Sequence, residues 1–302
     1  MRKLRPTVEG AFLAALTVIL YLSSIYIPVL GFVLSFVCPL PVLFLVIRWD
    51  LRTGLLASGV ATLIVLAFSG LLQALVCFVG FSLIGLGMGY LIKKERSSFE
   101  VISLGSVVSV LSKLALIGIA LLLTGKNPIT ENLRVMEETF QKTAQMLGGM
   151  GDGNFQKILN LLTIALPAIL ILASLFDTVL NFFLGKWVGK RIGIVFPVFP
   201  PFGSWRFPVS VFWMFVLSWA FVLLGGTSIL GTIGLNLQMV TQTLFLVQGV
   251  SVAYFFLGKY VKSKPGVIVI LLFVVFQPLF SSIISWIGVI DTWFDFRKLN
   301  VR

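Results

Sequence analysis

The sequence VVSVLSKLALIGIALLL runs from Val107 to Leu123, and Lys113 is its one charged residue. The apolar run around it extends from about residue 99 to residue 124. A helix needs about 20 mostly apolar residues to cross the hydrocarbon core of a bilayer, and this run provides them. We therefore interpret the segment as a membrane-spanning helix with a lysine near its middle.

Similar apolar runs occur throughout the chain. Of the 302 residues, 58% are hydrophobic and 11% are charged, whereas soluble domains carry about 25% charged residues. The mean hydropathy is +1.07. These values predict an all-α protein of the cell membrane, a polytopic integral membrane helical bundle of about 8–9 transmembrane helices. The predicted spans are residues 8–27, 31–47, 54–69, 71–92, 99–124, 158–185, 207–226, 235–260 and 266–290.

The basic residues predict the orientation of these spans. The net charge is +12, and Lys and Arg occur in short clusters between apolar runs rather than on one long surface. If every span crosses, most clusters fall on one face, which by the positive-inside rule places the N-terminus inside. We therefore expect this charge to meet the lipid bilayer and not a nucleic acid. The clusters contain Arg2, Lys3, Arg5, Arg48, Arg52, Lys93, Lys94, Arg96, Lys186, Lys190, Arg191, Arg206, Lys259, Lys262 and Lys264.

Residue chemistry excludes several kinds of site. The chain has no histidine, and its two cysteines, Cys38 and Cys77, lie in apolar spans without a metal-ligand spacing. Histidine-based metal sites, Ser-His-Asp triads and Cys-His pairs are therefore excluded. We expect no metal, no cofactor, no catalytic residues and a protein that is not an enzyme.

The polar segment 125–157 is predicted to lie outside the membrane and to contain an amphipathic helix. Its apolar residues recur every three or four positions, Asn127 suits the N-cap and Pro128 suits the first helical position. Two interpretations remain open. The helix either lies on the membrane surface or forms a lid over an outward-facing cavity, with the glycines of GGMGDG (148–153) as a hinge.

Two predicted spans contain breaks. The prolines of CPLP, Cys38 to Pro41, predict a bent or incomplete second span. Gln277 and Pro278 interrupt the last span. Nine full crossings place the C-terminus outside, whereas a re-entrant hairpin at this break returns it to the inside, and the sequence favours neither.

Polar residues within the spans predict a binding site. Lys113 and Asp177 lie on consecutive spans that run in opposite directions, and their side chains lean toward each other, so a direct or water-bridged pair is expected. Asn181 shares the helix face of Asp177, and Gln73 is a further polar candidate. We predict that Lys113, Asp177, Asn181 and Gln73 bind a ligand, with a purely structural ion pair as the alternative.

Two stretches combine aromatic and charged residues near predicted span ends. They are FPVFPPFGSWRFP (196–208) and DTWFDFRK (291–298). Each is predicted either to anchor in the membrane interface or to dock a partner protein. The residues predicted to do so are Trp205, Arg206, Asp291, Trp293, Asp295 and Arg297.

The chain resembles two families. PPFGSWRFP and GVIDTWFDFRK resemble the YybS-like predicted bacterial membrane proteins, a family of unknown function, and this resemblance covers essentially the whole chain. Residues 9–70 are also similar to the start of the substrate-binding (S) subunits of energy-coupling-factor vitamin transporters. The shared features are a small-residue first helix, a Pro/Gly connection and a short second helix ending in basic residues before TGLLASG. This second, more distant resemblance covers roughly residues 8–190.

The transporter resemblance implies a domain organisation and a function. Residues 1–190 would form a six-helix S-subunit-like bundle with an outward-facing ligand pocket, followed in 191–302 by additional membrane helices and a C-terminal interfacial segment. Ala11 and Ala15 match the small residues through which that family contacts a partner helix. The expected function is binding of a small molecule in a membrane cavity, with an energy-coupling module as partner. The alternative is a non-transporting scaffold or assembly factor that binds an envelope protein through its loops.

Overall fold

The apolar runs form helices in a computed structural model that describes residues 4–27, 29–146, 152–261, 263–294 and 296–297. No strand occurs among these residues. A π-helical segment, Val76–Ser82, connects two of the α-helices. The α-helices are α1 (Leu4–Tyr26), α2 (Leu30–Ser35), α3 (Leu40–Arg48), α4 (Leu51–Leu75), α5 (Leu83–Lys93), α6 (Ser98–Thr124), α7 (Pro128–Met146), α8 (Asp152–Arg191), α9 (Val209–Gly225), α10 (Ile229–Tyr260), α11 (Lys264–Phe276) and α12 (Pro278–Phe294).

The protein is a polytopic helical membrane protein, as predicted. Six helical segments of the described chain are long and apolar enough to cross a membrane, or seven if the bent pair α11–α12 counts as one span. Helix α9 is apolar but shorter. The predicted number of 8–9 crossings and the orientation of the N-terminus stay predictions.

Glycine and proline break the helices at the predicted places. The second predicted span ends at Ser35 and resumes at Leu40, with Pro39 as the N-cap of α3. Gly70 has φ +83° and reverses the chain inside α4, a backbone conformation that glycine adopts without strain. A methyl group on Gly54 would touch Leu86, so the two arms on either side of Gly70 lie antiparallel. Two antiparallel helical arms therefore lie where two spans were predicted, and their crossing of the membrane stays a prediction.

The C-terminal break also lies where it was predicted. Helices α11 and α12 meet at Gln277 with a bend of 107°. Pro278 begins α12 and cannot donate a backbone hydrogen bond to α11. Whether the pair crosses the membrane or forms a re-entrant hairpin stays open.

The helices group into two units. The first comprises Met1–Leu159 and Leu170–Val198, and the second comprises Asn160–Ile169 and Phe199–Arg302. In the first unit α3 is the central helix, because seven of its residues, Leu40 through Val46, are buried. Gly85 and Gly89 of α5 face the backbone of α3, where a larger side chain would collide. Small residues four apart allow this close packing of membrane helices.

Two basic connections of the first unit, at Arg48 and at Lys93, lie at one end. Glu9 of α1 pairs with Arg48 and accepts a hydrogen bond from Trp49 Nε1 at 2.7 Å. Lys93 at the end of α5 donates to the backbone carbonyl of Trp49. Ser98, which begins α6, donates to the carbonyl of Val198 at 3.0 Å. The topology prediction depends on short clusters of Lys and Arg between the spans, and the positions of Arg48 and Lys93 agree with it.

Helix α10 organises the second unit. A methyl group on Gly249 would collide with the carbonyl of Ile284, and one on Gly288 would collide with the carbonyl of Phe245, so α10 and α12 pack backbone to backbone. Asn236 of α10 forms hydrogen bonds with two backbone groups of α8 near Pro167. Its Oδ1 accepts from the Ala168 N–H at 2.9 Å, and its Nδ2 donates to the Ile164 carbonyl at 2.8 Å. The carboxamide thus inserts into a proline-weakened turn and satisfies both backbone groups.

The predicted amphipathic helix is present as α7. The Asn127 side chain accepts a hydrogen bond from the Ile129 N–H at 3.0 Å and Glu131 lies in the first turn, as expected for its start. The ring of Phe140 stacks on that of Phe155 at 3.6 Å. The choice between a surface helix and a lid stays open, and much of the proposed glycine hinge lies outside the described residues.

Candidate functional site

Helices α6 and α8 carry the predicted charged pair. Lys113 Nζ donates to Asp177 Oδ2 at 2.8 Å and to Ser109 Oγ at 2.6 Å. The pairing of these two side chains, expected from topology and helix direction, is confirmed. The side chains remain 29% and 24% exposed, so the pair is only partly covered by other protein atoms.

Small residues bring the two helices together. A methyl group on Gly105 would lie 2.7 Å from Thr178 Cγ2, closer than a van der Waals contact, so glycine is needed there. The helices are antiparallel and Lys113 lies about two turns beyond Gly105, so its long side chain leans back along α6 to reach Asp177. We call this polar contact region between α6 and α8 the seam.

Three buried polar groups on α6 and α8, near the seam in sequence, have unused hydrogen-bonding capacity. Ser112, Ser174 and Asn181 are almost fully buried, yet their Oγ, Oγ and Oδ1 atoms have no hydrogen-bond partner. Asn181 Nδ2 donates to the backbone carbonyl of Asp177 at 2.9 Å. A buried polar atom without a partner costs about 1–3 kcal/mol. The three groups therefore have hydrogen-bonding capacity that no protein atom uses.

Gln73 has different neighbours. The hydroxyl of Tyr21 donates to its side-chain oxygen and to its backbone carbonyl, both at 2.8 Å. Tyr21 belongs to an apolar cluster that includes Cys38 and Cys77. These contacts are typical of a glutamine that joins two helices, and they do not bring Gln73 to Lys113.

The second unit contains a buried ion pair that sequence reasoning missed. Arg297 donates to Asp291 Oδ2 at 2.7 Å, and both side chains are fully buried. Arg297 also donates to the Gly203 carbonyl and to Ser251 Oγ at 2.7 Å, and to the Trp205 carbonyl at 2.9 Å. We call these groups the arginine network.

Gln248 of α10 extends the arginine network. Its Nε2 donates to Asp291 Oδ2 and Thr292 Oγ1 at 3.2 Å, and its Oε1 accepts from the Phe207 N–H at 3.0 Å. Gln248 thus joins α10 to α12 through interhelical hydrogen bonds. The sequence places Gln248 within one span and Asp291 and Arg297 near the end of the chain. No spacing between these residues indicates that they contact one another.

The interfacial prediction for Asp291 and Arg297 needs correction. Both side chains are buried in the second unit, because Gly288 lets the end of α12 pack directly against α10. Trp293, next in the same stretch, is exposed. Asp295 lies outside the described residues.

The remaining predicted residues lie near surfaces. Trp205 is half-buried, contacts the ring of Phe202 and donates through Nε1 to the Pro200 carbonyl at 3.0 Å. Arg206 donates to the Thr292 carbonyl at 2.7 Å. Ala11 and Ala15 are exposed on one face of α1. In the described part of the chain, no three Asp, Glu or Cys side chains come together as metal ligands.

Comparisons with known proteins agree with the membrane fold. Residues 15–292 match a family described as a predicted membrane protein, DUF2232. The uncharacterized protein YybS of Bacillus subtilis (strain 168) is 28% identical over 313 aligned residues, which cover 99% of this chain and 99% of that protein. No solved structure matches the chain.

Proposed function

The chain belongs to the DUF2232 family of predicted membrane proteins. We propose that it binds a small polar molecule at the seam between α6 and α8. Lys113 and Asp177 would contact the ligand through their charges. Ser112, Ser174 and Asn181 would complete its hydrogen bonds. The relatives carry no stated activity, so the proposal depends on the geometry of the seam.

The observation that carries the proposal is a charged pair beside unsatisfied polar atoms within predicted membrane spans. A charge at the centre of a membrane helix costs about 2.5–3.5 kcal/mol on insertion scales. A seam with only a packing role would need neither charge, because Gly105, Ser109 and Thr178 already allow close approach. Partly accessible charges and spare hydroxyl and amide groups are what a polar ligand needs in an otherwise apolar cavity.

The seam also indicates the chemistry of the ligand. Lys113 supplies a cationic donor, Asp177 an anionic acceptor, and the serine hydroxyls donate or accept. A small molecule with both donor and acceptor groups, such as a zwitterion or a polyol, uses all of them. The resemblance to transporter S subunits supports an uptake role, and the exposed Ala11 and Ala15 offer a small-residue face for a partner membrane subunit.

The test is native mass spectrometry of the protein extracted in a mild detergent. Wild type is compared with Lys113→Gln/Asp177→Asn, which removes both charges, and with Arg134→Gln/Glu138→Gln, which removes an exposed ion pair on α7. We expect a small-molecule mass adduct on wild type and on the α7 control that the seam variant lacks. An adduct of equal occupancy in all three proteins, or in none, would contradict the proposal. A co-purifying ATPase-linked membrane module would add support for an uptake role.

A scaffold function is the second candidate, and one observation favours it. The arginine network fixes the 202–207 loop to the chain end, where Trp293, Phe294 and Phe296 are exposed. Such a fixed aromatic surface suits an envelope protein or the membrane interface. A stoichiometric envelope protein in the same native spectra, together with no small-molecule adduct, would favour the scaffold over the binding subunit.

A further inference from the structure

A second groove lies away from the seam, between the end of α5 and the start of α6. Its volume is about 620 Å³. Two cations, one carboxylate, one serine and four apolar or aromatic side chains line it. These lining residues include Tyr90, Lys94, Arg96, Phe99, Glu100 and Leu104.

The apolar part of the groove is open. Tyr90, Phe99 and Leu104 are exposed, and Phe99 and Leu104 lie on α6, a helix long and apolar enough to cross the membrane. Lipid chains cover the exposed apolar side chains of a membrane helix. An acyl chain can therefore occupy this part of the groove.

The charged part of the groove lies at the helix ends. Lys94 Nζ is 5.8 Å from the ring centroid of Tyr90, and Arg96 is 3.8 Å from Glu100. The Arg96–Glu100 pair is largely exposed and therefore weak, which leaves guanidinium donors for another anion. Lys93, beside Lys94 in the chain, adds a positive charge at the same end of the first unit, where Arg48 is paired with Glu9. This additional cation favours a negative ligand.

We propose that this groove binds one anionic phospholipid. The phosphate contacts Lys94 and Arg96, and the first carbons of an acyl chain cover Phe99 and Leu104. A phospholipid matches both parts of the groove, since it joins an anion to a hydrocarbon chain at the depth where a spanning helix leaves the membrane. Glu100 opposes binding, because its carboxylate repels the phosphate.

The test measures retention of one lipid by native mass spectrometry from nanodiscs that contain equal amounts of phosphatidylglycerol and phosphatidylcholine. The variant Lys94→Gln/Arg96→Gln removes both cations. The control Lys126→Gln/Lys142→Gln removes two exposed lysines from outside the groove. We expect wild type and the control to retain one phosphatidylglycerol, and the groove variant to retain it on the order of tenfold less. Glu100→Gln should increase retention, which tests the proposal even if the double variant folds poorly.

Three results would overturn the proposal. The first is equal retention of the two lipids by wild type. The second is equal retention of phosphatidylglycerol by wild type, the groove variant and Glu100→Gln. The third is displacement of phosphatidylglycerol by millimolar inorganic phosphate alone, since it would identify a soluble anion site rather than a lipid site.

Discussion

Replacing Arg297 with methionine should destabilise the second unit more than any surface substitution. The change removes four hydrogen bonds and leaves the Asp291 carboxylate fully buried without its cation. Removing one partner of a buried ion pair costs about 3–5 kcal/mol. Since whole domains are stable by about 5–15 kcal/mol, we expect a large fall in the free energy of unfolding for Arg297→Met.

The assay is tryptophan fluorescence during unfolding of the detergent-solubilised protein. Five of the seven tryptophans belong to the second unit, so the signal reports mainly on that unit. These are Trp205, Trp213, Trp219, Trp286 and Trp293. The matched control is Lys259→Met, which removes an exposed basic residue from the same unit.

The loss of stability in Arg297→Met has two contributions, the lost hydrogen bonds and the unpaired charge of Asp291. The double variant Asp291→Asn/Arg297→Met separates them. Asparagine keeps an acceptor for Gln248 but removes the unpaired charge. We expect the double variant to recover at least about 1.5 kcal/mol relative to Arg297→Met, a coupling that neighbouring residues commonly show. If Arg297→Met unfolds like the Lys259→Met control, the arginine network does not stabilise this unit and the reasoning is refuted.

Three further substitutions test the packing. Gly288→Ala should force α10 and α12 apart and lower the free energy of unfolding by about 1–3 kcal/mol. The control Gly258→Ala places its methyl group in open space and should leave stability unchanged. Equal unfolding curves for the two variants would contradict this prediction. Asn236→Ala should leave two backbone groups of α8 without a side-chain partner, and each unsatisfied group costs about 1–3 kcal/mol of stability. Proteolysis near residue 167 should therefore become faster. The control Asn132→Ala, at an exposed position, should not change it. Asp50 caps α4, and the Thr53 backbone N–H that donates to it lowers the pKa of Asp50. Because the pKa of Asp50 is lowered in the folded protein, Asp50→Ala should lower the free energy of unfolding by up to about 1 kcal/mol at pH 7. The stability difference between wild type and variant should shrink as pH falls below about 4, where the carboxylate is protonated. A stability difference that does not depend on pH would refute this prediction.

The sequence predicted those parts of the fold that depend on local pattern. Apolar runs located the helices, and Pro39, Gly70 and Pro278 located their breaks, because these residues change backbone geometry wherever they stand. The Lys113–Asp177 pair was also predictable, since two charges in consecutive antiparallel spans have few other partners. In each case the relevant information lies within one span or two adjacent ones.

The arginine network was not predictable in this way. Arg297 reaches backbone carbonyls of the 202–207 loop, about 90 residues away in the chain, and such contacts leave no residue pattern. Asp291 and Arg297 resemble an interfacial anchor by composition, and only the close packing at Gly288 turns them inward. The same reason hid the role of Asn236, whose backbone partners beside Pro167 belong to another helix.

The most direct test of the central claim is a double-mutant cycle on Lys113 and Asp177 that reads stability and ligand occupancy from the same samples. A binding seam predicts that Lys113→Gln and Asp177→Asn each abolish the bound small molecule. Their coupling in unfolding free energy should stay near the average of about 0.6 kcal/mol for membrane hydrogen bonds. A coupling of several kcal/mol, with full stability restored in the double variant and no bound molecule in wild type, would show that the pair only closes the bundle.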